Sequence, residues 1–223
     1  MTFSLIARCA RTGQFGMAIS SSSPAVAARC AHVRAGVGAV ASQNVTDPAL
    51  GSLLLDRLEA GLPAARALAD ITAGRPHVDY RQLMVVDAAG AVAIHSGRQV
   101  LGLWGEAKGR DCAAGGNLLA DEGVPAAMVA AFEAAQGHLG DRLMAALETG
   151  LAAGGEAGPV RSAGLKVADR LPWPLADLRI DWADEPIGML RAAWDVYRPQ
   201  MAAYVQRAED PTQAPSYGVP GDE

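Results

Sequence analysis

The chain contains few of the residues that mark several common protein classes. Aromatic residues make up 5% of its 223 residues, and 24 Asp and Glu outnumber 19 Lys and Arg, with no basic block. We therefore expect no nucleic-acid partner, because such partners require clustered positive charge. The sequence also has no signal-peptide pattern and no run of about 18 apolar residues, so we expect no membrane association.

Cysteine and histidine are scarce as well. Cys9, Cys30 and Cys112 are an odd number at unrelated spacings, which is typical of a reducing cytoplasm and not of a disulfide framework. The four histidines show no metal-ligand spacing, and no P-loop is present. Residues 36–41 satisfy G-x-G-x-x-A but enter β-branched sequence instead of a helix, which argues against a dinucleotide site. We expect a cytoplasmic protein without a metal or cofactor.

Strand and helix patterns alternate in pairs along the chain. Strands are predicted at residues 2–8, 15–20, 36–42, 83–86, 91–94, 162–168 and 178–182, and helices at 48–60, 64–72, 124–135, 139–152 and 186–207. This order argues against a βαβ fold and favours two sheets with helices on their outer faces. We predict an α+β fold, a four-layer αββα sandwich, with a single domain over residues 1–207. Residues 208–223, rich in Pro, Asp and Gly, are predicted to form a flexible tail.

The first predicted strand has a threonine at position 2. A methionine before so small a residue is normally removed by methionine aminopeptidase, which would leave a free α-amine on Thr2. Because such an amine titrates near pH ~8, it can accept the proton of its own hydroxyl and activate it as a nucleophile. The alternative is that Thr2 only permits Met1 removal and has no catalytic role.

Five ordered motifs carry a resemblance to a known family. They are Thr2-Phe3-Ser4, residues 36–43, residues 79–83, residues 116–119 and residues 161–163. Together they resemble a bacterial domain-of-unknown-function family that is grouped with the N-terminal nucleophile (Ntn) hydrolases. The resemblance implies the αββα fold and, by analogy, hydrolysis of amides with Thr2 as nucleophile.

The sequence departs from the proteasome-like Ntn hydrolases around the expected nucleophile. Those enzymes have an aspartate at the end of the second strand and a lysine further on, whereas this chain has four serines at 20–23 and no lysine before Lys108. Arg29 or Arg34 is a candidate source of the missing positive charge, with surface solvation as the alternative. Ser21 is a candidate catalytic residue that orients the amine of Thr2.

Strand ends supply the candidate oxyanion-binding residues. Ser42, Gln43 and Asn44 lie where a predicted strand meets a helix, so their backbone N–H groups and the Asn44 amide are candidate donors to an anion. An ordinary polar loop is the alternative. Gly116 and Asn117 combine close backbone approach with an amide side chain, although a plain turn explains them equally well.

Three further residues complete the predicted site. Arg81 and Ser162 come from the family motifs and are candidate substrate-binding residues. His95 ends a predicted strand, where a hydrogen-bonded structural histidine is the alternative.

These patterns lead to one functional hypothesis and two alternatives. We expect an amidohydrolase that cleaves a C–N bond of a small amide, ureide or cyclic amide through Thr2. One alternative is hydrolysis by a water that Ser21, Asn44, His95 and Asn117 activate without Thr2. The other is a non-catalytic ligand-binding or scaffold protein with the same fold.

The predicted helix at residues 186–207 has an apolar stripe that includes Trp194 and Tyr197. Aromatic side chains are common at the centres of protein interfaces. We therefore predict a homodimer or a higher homo-oligomer that buries these two residues, with packing onto the helix's own domain as the alternative.

Overall fold

Two antiparallel sheets form the centre of the computed structural model, which describes residues 1–220. The strands are β1 (Thr2–Arg8), β2 (Phe15–Ser21), β3 (Ala31–Arg34), β4 (Gly38–Asn44), β5 (Arg81–Asp87), β6 (Val92–Ser96), β7 (Gly105–Gly109), β8 (Cys112–Asn117), β9 (Ser162–Ala168) and β10 (Ala176–Ile180). The large sheet has the order β10-β9-β2-β1-β8-β7, and the small sheet has the order β3-β4-β5-β6.

Helices cover the outer face of each sheet. The helices are α1 (Val26–Cys30), α2 (Ala49–Glu59), α3 (Ala64–Thr72), α4 (Val124–Ala134), α5 (Leu139–Ala152), α6 (Pro186–Tyr197) and α7 (Met201–Glu209). Helix α1 is the exception, because its buried residues pack in the layer between the sheets. Apolar side chains of α4, α5 and α6 pack on the large sheet, and those of α2 and α3 pack on the small sheet. The four-layer αββα sandwich predicted from the sequence is therefore confirmed.

Strand β1 shows how alternation separates the two faces of the large sheet. Phe3 and Leu5 pack in the outer core beneath the helices, whereas Ile6 packs between the two sheets. Because successive strand side chains point to opposite faces, Thr2 and Ser4 lie on the same inner face as Ile6. The layer between the sheets is thus apolar around Ile6 and becomes polar towards Thr2.

Several elements differ from the sequence-based prediction. It omits α1, β3, β7 and β8, and it places β10 two residues too late. The predicted helix at 186–207 divides into α6 and α7 at a 3₁₀ turn, Arg198–Gln200. Pro199 lies in this turn, and it lacks the N–H that a continuous α-helix requires.

The prediction that Trp194 lies in a dimer contact is wrong. Trp194 has no exposed surface, and its indole Nε1 donates to Asp141 Oδ1 at 2.9 Å. A Cβ added at Gly140 would lie 2.3 Å from the Trp194 ring, so the ring fills the space over that glycine. Tyr197 is half-buried against the same core, and its hydroxyl donates to the Leu175 carbonyl. This face of α6 belongs to the core of its own chain.

The end of the described chain continues beyond the predicted domain limit. Helix α7 runs two residues past 207, and its last residue, Glu209, forms an ion pair with Arg170. A 3₁₀ turn follows at Pro211–Gln213. Residues 221–223 of the predicted tail lie outside the described residues. Over residues 1–220, no helix is both long enough and apolar enough to cross a membrane.

Candidate active site

Four polar side chains form a row across the inner face of the large sheet. Thr2 pairs with Asn117 on β8, and the β1–β2 register, in which Phe3 pairs with Ser20, places Ser21 on the other side of Thr2. Ser21 pairs in turn with Ser162 on β9. Residues directly opposite each other share one face of a sheet. The row Asn117–Thr2–Ser21–Ser162 therefore faces the layer between the sheets, and each member is at most 5% exposed.

Thr2 and Ser21 bind the same carbonyl oxygen. The Thr2 and Ser21 hydroxyl oxygens, Oγ1 and Oγ, each lie 2.5 Å from the Met1 carbonyl oxygen. The two hydroxyls are 3.3 Å apart. A carbonyl oxygen has two lone pairs and can accept from both. This carbonyl belongs to the peptide bond that joins Met1 to Thr2, so the two hydroxyls converge on the bond whose cleavage frees the Thr2 amine.

Ser21 is held by a short chain of donors. The Ser23 N–H donates to Ser21 Oγ at 3.1 Å, and the two serine hydroxyls are 2.8 Å apart. Arg29 Nη2 donates to Ser23 Oγ at 3.0 Å. Because a guanidinium can only donate, the Ser23 oxygen accepts from Arg29 and the Ser23 hydroxyl proton can be donated to Ser21. The Ser21 hydroxyl proton is then donated to the Met1 carbonyl.

The two candidate sources of positive charge have different environments. Arg29 reaches the nucleophile region through Ser23, as described above. Arg34 instead pairs with Asp56 and Glu59 at the surface. Of the two, Arg29 is the arginine that connects to Ser21.

Glu156 is a buried acid beside this site that the sequence analysis missed. It is 5% exposed, and the Ser22 backbone N–H donates to both carboxylate oxygens, each of which lies 3.0 Å from the Ser22 nitrogen. Burial raises the pKa of Glu156 to about 7, against the opposing effects of the positive Met1 α-amine and the Ser22 hydrogen bond. The only sequence signal is a single acid after Gly154 and Gly155, which nothing in the spacing connects to Thr2.

Amide side chains link the two sheets next to Thr2. Ser4 donates to Gln43 Oε1 at 2.6 Å, and Gln43 Nε2 donates to Gln82 Oε1 at 2.8 Å. Asn117 Nδ2 lies 3.4 Å from the same Gln82 oxygen. Asn117 Oδ1 is buried and has no partner among residues 1–220. Gln43 thus connects the sheets, and Asn117 has a free acceptor in the inner layer.

Two of the predicted oxyanion-binding residues have structural contacts instead. Ser42 lies on the outer face of the small sheet, and its hydroxyl donates to the Asp47 carbonyl at 2.8 Å. Asn44 has a positive φ of 73°, and its amide binds the Tyr80 carbonyl and the Leu101 N–H. These contacts fix the loops at the edge of the small sheet.

The structure places the other predicted residues away from Thr2 or gives them a packing role. Arg81 donates to the Val45 carbonyl. His95 Nε2 lies 3.2 Å from the Val78 carbonyl, on the outer face of the small sheet. A Cβ at Gly116 would lie 2.6 Å from Leu119, so this glycine permits close packing.

Ser162 supports the segment that contains Ser21. Its hydroxyl donates to the Ser23 carbonyl at 2.6 Å and accepts from the Val26 N–H at 3.3 Å. Of the four residues in the activated-water hypothesis, only Ser21 and Asn117 lie in the row with Thr2. His95 faces the opposite side of its sheet, so the structure does not assemble that cluster.

Comparison with known proteins identifies the family. The model of the family of unknown function DUF1028 matches residues 2–190. The chain belongs to this family. The matched region includes every member of the row as well as Glu156, and the resemblance inferred from the sequence motifs is confirmed.

Comparison with solved structures gives one relative of the same family and more distant similarities. A DUF1028 protein, SPO2555 from Silicibacter pomeroyi, has a TM-score of 0.85 at 29% identity, over 92% of this chain and 90% of that one. Anbu (ancestral β-subunit) from Yersinia bercovieri has a TM-score of 0.38 at 11% identity, over 91% and 97% of the two chains. An Anbu (Gly-1) mutant from Hyphomicrobium sp. strain MC1 has a TM-score of 0.44 at 12% identity, over 98% and 100%. No curated protein matches the chain.

Proposed function

We propose that this DUF1028 protein is a hydrolase that cleaves a C–N bond of a small amide, ureide or cyclic amide, with Thr2 as the nucleophile after Met1 is removed. One observation carries the proposal. The Thr2 hydroxyl lies on the inner face of the sandwich, 2.5 Å from a carbonyl oxygen that Ser21 also binds at 2.5 Å. A substrate carbonyl in this space would meet a nucleophile and an oxyanion donor together.

Hydrolysis then requires the Thr2 amine, the Thr2 hydroxyl, the Ser21 hydroxyl and one water. The free Thr2 amine accepts the hydroxyl proton, and Oγ1 adds to the substrate carbonyl carbon. As negative charge develops on the carbonyl oxygen, the Ser21 hydroxyl donates a hydrogen bond to that oxygen. The amine next transfers its proton to the departing nitrogen as the C–N bond breaks, which leaves an ester on Thr2. A water then adds to this ester as the amine accepts one of its protons, and the amine returns that proton to Oγ1 as the carboxylic acid product leaves.

Burial favours a small substrate. Thr2 is 5% exposed, and its neighbours Ser21 and Asn117 are 0% and 1% exposed. A folded polypeptide would have to enter between the two sheets to reach the hydroxyl, whereas a metabolite needs only a space of its own size beside Thr2. We therefore infer a small-molecule substrate and no role in the degradation of folded proteins.

A non-catalytic ligand-binding protein with this fold is the alternative function. The observation in its favour is the buried Asn117 Oδ1, which has no partner among residues 1–220. Buried acceptors are normally satisfied, so a ligand that donates a hydrogen bond would fit here.

The Thr2→Ala variant tests the nucleophile. With Met1 removed from both proteins, we expect kcat on an amide found by a metabolite screen to fall at least about a hundredfold, because the variant has no hydroxyl to add to the carbonyl. Thr12→Ala, at an exposed threonine, is the matched control and should retain full turnover. Near-wild-type turnover by Thr2→Ala would favour an activated water. Ligand binding without any turnover by the wild type would favour the non-catalytic alternative.

We infer a cytoplasmic homodimer, or a higher homo-oligomer, from the sequence, through a surface other than the buried Trp194 face. Light scattering coupled to size exclusion should give at least twice the 23.0 kDa chain mass. A monomeric mass at micromolar concentration would contradict the proposal.

A further inference from the structure

A cleft lined by arginines lies at the opposite end of the large sheet from Thr2. It consists of two adjoining cavities of about 350 and 410 Å³, which share Arg142 and Glu133. The charged side chains that line this arginine cleft are Arg8, Arg11, Arg110, Arg142, Asp111 and Glu133. Strand β1 runs from Thr2 to Arg8, so roughly 20 Å separate the cleft from the proposed nucleophile. The arginine cleft is therefore a separate site.

The arginine cleft is positively charged, although the chain as a whole is acidic. Its four arginines and two acids give a net charge of +2, whereas the whole chain carries −5. Among residues 1–220, no ion pair includes Arg11, Arg110 or Arg142. Three guanidinium groups of the cleft thus have no carboxylate partner in the part of the chain that the structure describes.

The two acids of the cleft already accept hydrogen bonds. Asp111 Oδ1 accepts from Arg8 Nη1 at 3.0 Å. Glu133 Oε1 accepts from the backbone N–H of Arg110 at 2.7 Å. By direct contact, these acids therefore neutralise only the Arg8 side chain.

Arg142 is held in a fixed orientation beside the cleft. Its Nε and Nη2 donate to the Phe132 carbonyl at 3.3 and 3.1 Å, and its guanidinium carbon lies 3.9 Å from the centre of the Phe132 ring. Phe132 is fully buried, so it is a rigid support. Neither hydrogen bond uses Nη1. Because the side chain is already ordered, a ligand that binds Nη1 loses little free energy in orienting it.

The Cys9 thiol supports the view that the arginine cleft favours negative charge. Cys9 lines one of the two cavities and is 4% exposed. Burial, the largest effect, raises the pKa of the thiol, but hydrogen bonds from Thr12 and Arg11 and the positive charge of Arg142 together bring this pKa below its ordinary value. An anion is thus stabilised here even where little water is present.

We propose that the arginine cleft binds the phosphate group of a small phosphate ester. A phosphate monoester carries a charge of about −2 and three acceptor oxygens, which match the net charge of the cleft and its several guanidinium groups. A carboxylate offers only one charge and two oxygens. The two adjoining cavities leave room for an organic group beside the phosphate, within the size range of small-molecule sites. The proposal does not depend on hydrolysis at Thr2.

Calorimetric titration with glycerol 3-phosphate tests this proposal. The protein is kept at pH 8 and low ionic strength in a phosphate-free buffer, because salt screens exposed charges. We expect the double variant Arg11→Gln with Arg110→Gln to bind at least about tenfold more weakly than the wild type, since it loses charge-assisted hydrogen bonds. Arg66→Gln with Arg98→Gln removes two exposed charges outside the cleft and should bind like the wild type.

Two further ligands determine which chemical group the cleft recognises. Succinate carries two charges on separate carboxylates, and inorganic phosphate lacks the organic group; we expect both to bind more weakly than glycerol 3-phosphate. Equal binding of succinate, no binding of glycerol 3-phosphate, or unchanged binding by the folded cleft variant overturns the proposal. Inorganic phosphate that binds as tightly as the ester contradicts the ester and assigns the cleft to the free ion. If the cleft variant does not fold, the comparison of the three ligands on the wild type still decides the matter.

Discussion

Replacement of Glu156 by Gln should change how the stability of the protein depends on pH. Burial raises the pKa of this carboxyl from its ordinary 4.5 to about 7 in the folded protein. Below pH 4.5 the group is protonated in both states and costs nothing. Between 4.5 and 7 the unfolded chain ionises first, so stability falls as pH rises; above 7 the cost stays constant. The difference between the two pKa values corresponds to a loss of about 3 kcal/mol in the free energy of unfolding.

Urea unfolding from pH 5 to pH 8.5 measures this effect. The protein must retain Met1, since its α-amine acts on Glu156; inhibition of methionine aminopeptidase during expression provides this form. We expect Glu156→Gln to gain stability relative to the wild type as pH rises, by up to about 3 kcal/mol at pH 8. Glu122→Gln should follow the wild type at every pH. A Glu156→Gln difference that is constant with pH, or that becomes more destabilising above pH 7, would refute the argument.

Two further predictions concern the core. Trp194→Ala should destabilise the protein by about 3–5 kcal/mol because it empties a fully buried site, whereas Val196→Ala, 66% exposed on the same helix, should change it by less than about 0.5 kcal/mol. If urea unfolding shows an equally small loss of stability for both variants, Trp194 is not a core residue. Gln82→Ala should cost about 1–3 kcal/mol because it leaves the Asn117 amide and other buried groups without a partner. Gln136→Ala, at an exposed glutamine, is its control, and equal effects would contradict the role of the network.

Local pattern predicts the elements whose side chains alternate or repeat clearly. Strand β1 and helices α3, α4 and α5 lie where periodicity places them. Strand β8 is missed because its sequence, CAAGGN, is small and glycine-rich, although every residue in it is buried between β1 and β7. Its identity as a strand depends on neighbours that are distant in sequence, which local propensity does not describe.

The candidate site shows the same limit. Thr2, Ser21, Asn117 and Ser162 are all predicted individually, but only the strand register reveals that they form one row. Ser42 and Gln43 are both predicted, yet neighbouring strand residues face opposite sides, so only Gln43 points between the sheets.

Glu156 illustrates a contact that local sequence does not contain. It lies 134 residues from Ser22, the source of its hydrogen bond. No motif or spacing spans that distance, so only the folded chain brings this acid to Ser22, next to Ser21.

The most direct test of the account compares two forms of the same wild-type sequence. One form retains Met1 because methionine aminopeptidase is inhibited during expression, and the other begins at Thr2; intact mass identifies each. Turnover of an amide found by a metabolite screen is then measured at pH 8. We expect the form with a free Thr2 amine to hydrolyse the amide at least about a hundredfold faster than the form that retains Met1. Equal turnover by the two forms, or none by the form that begins at Thr2, would contradict it.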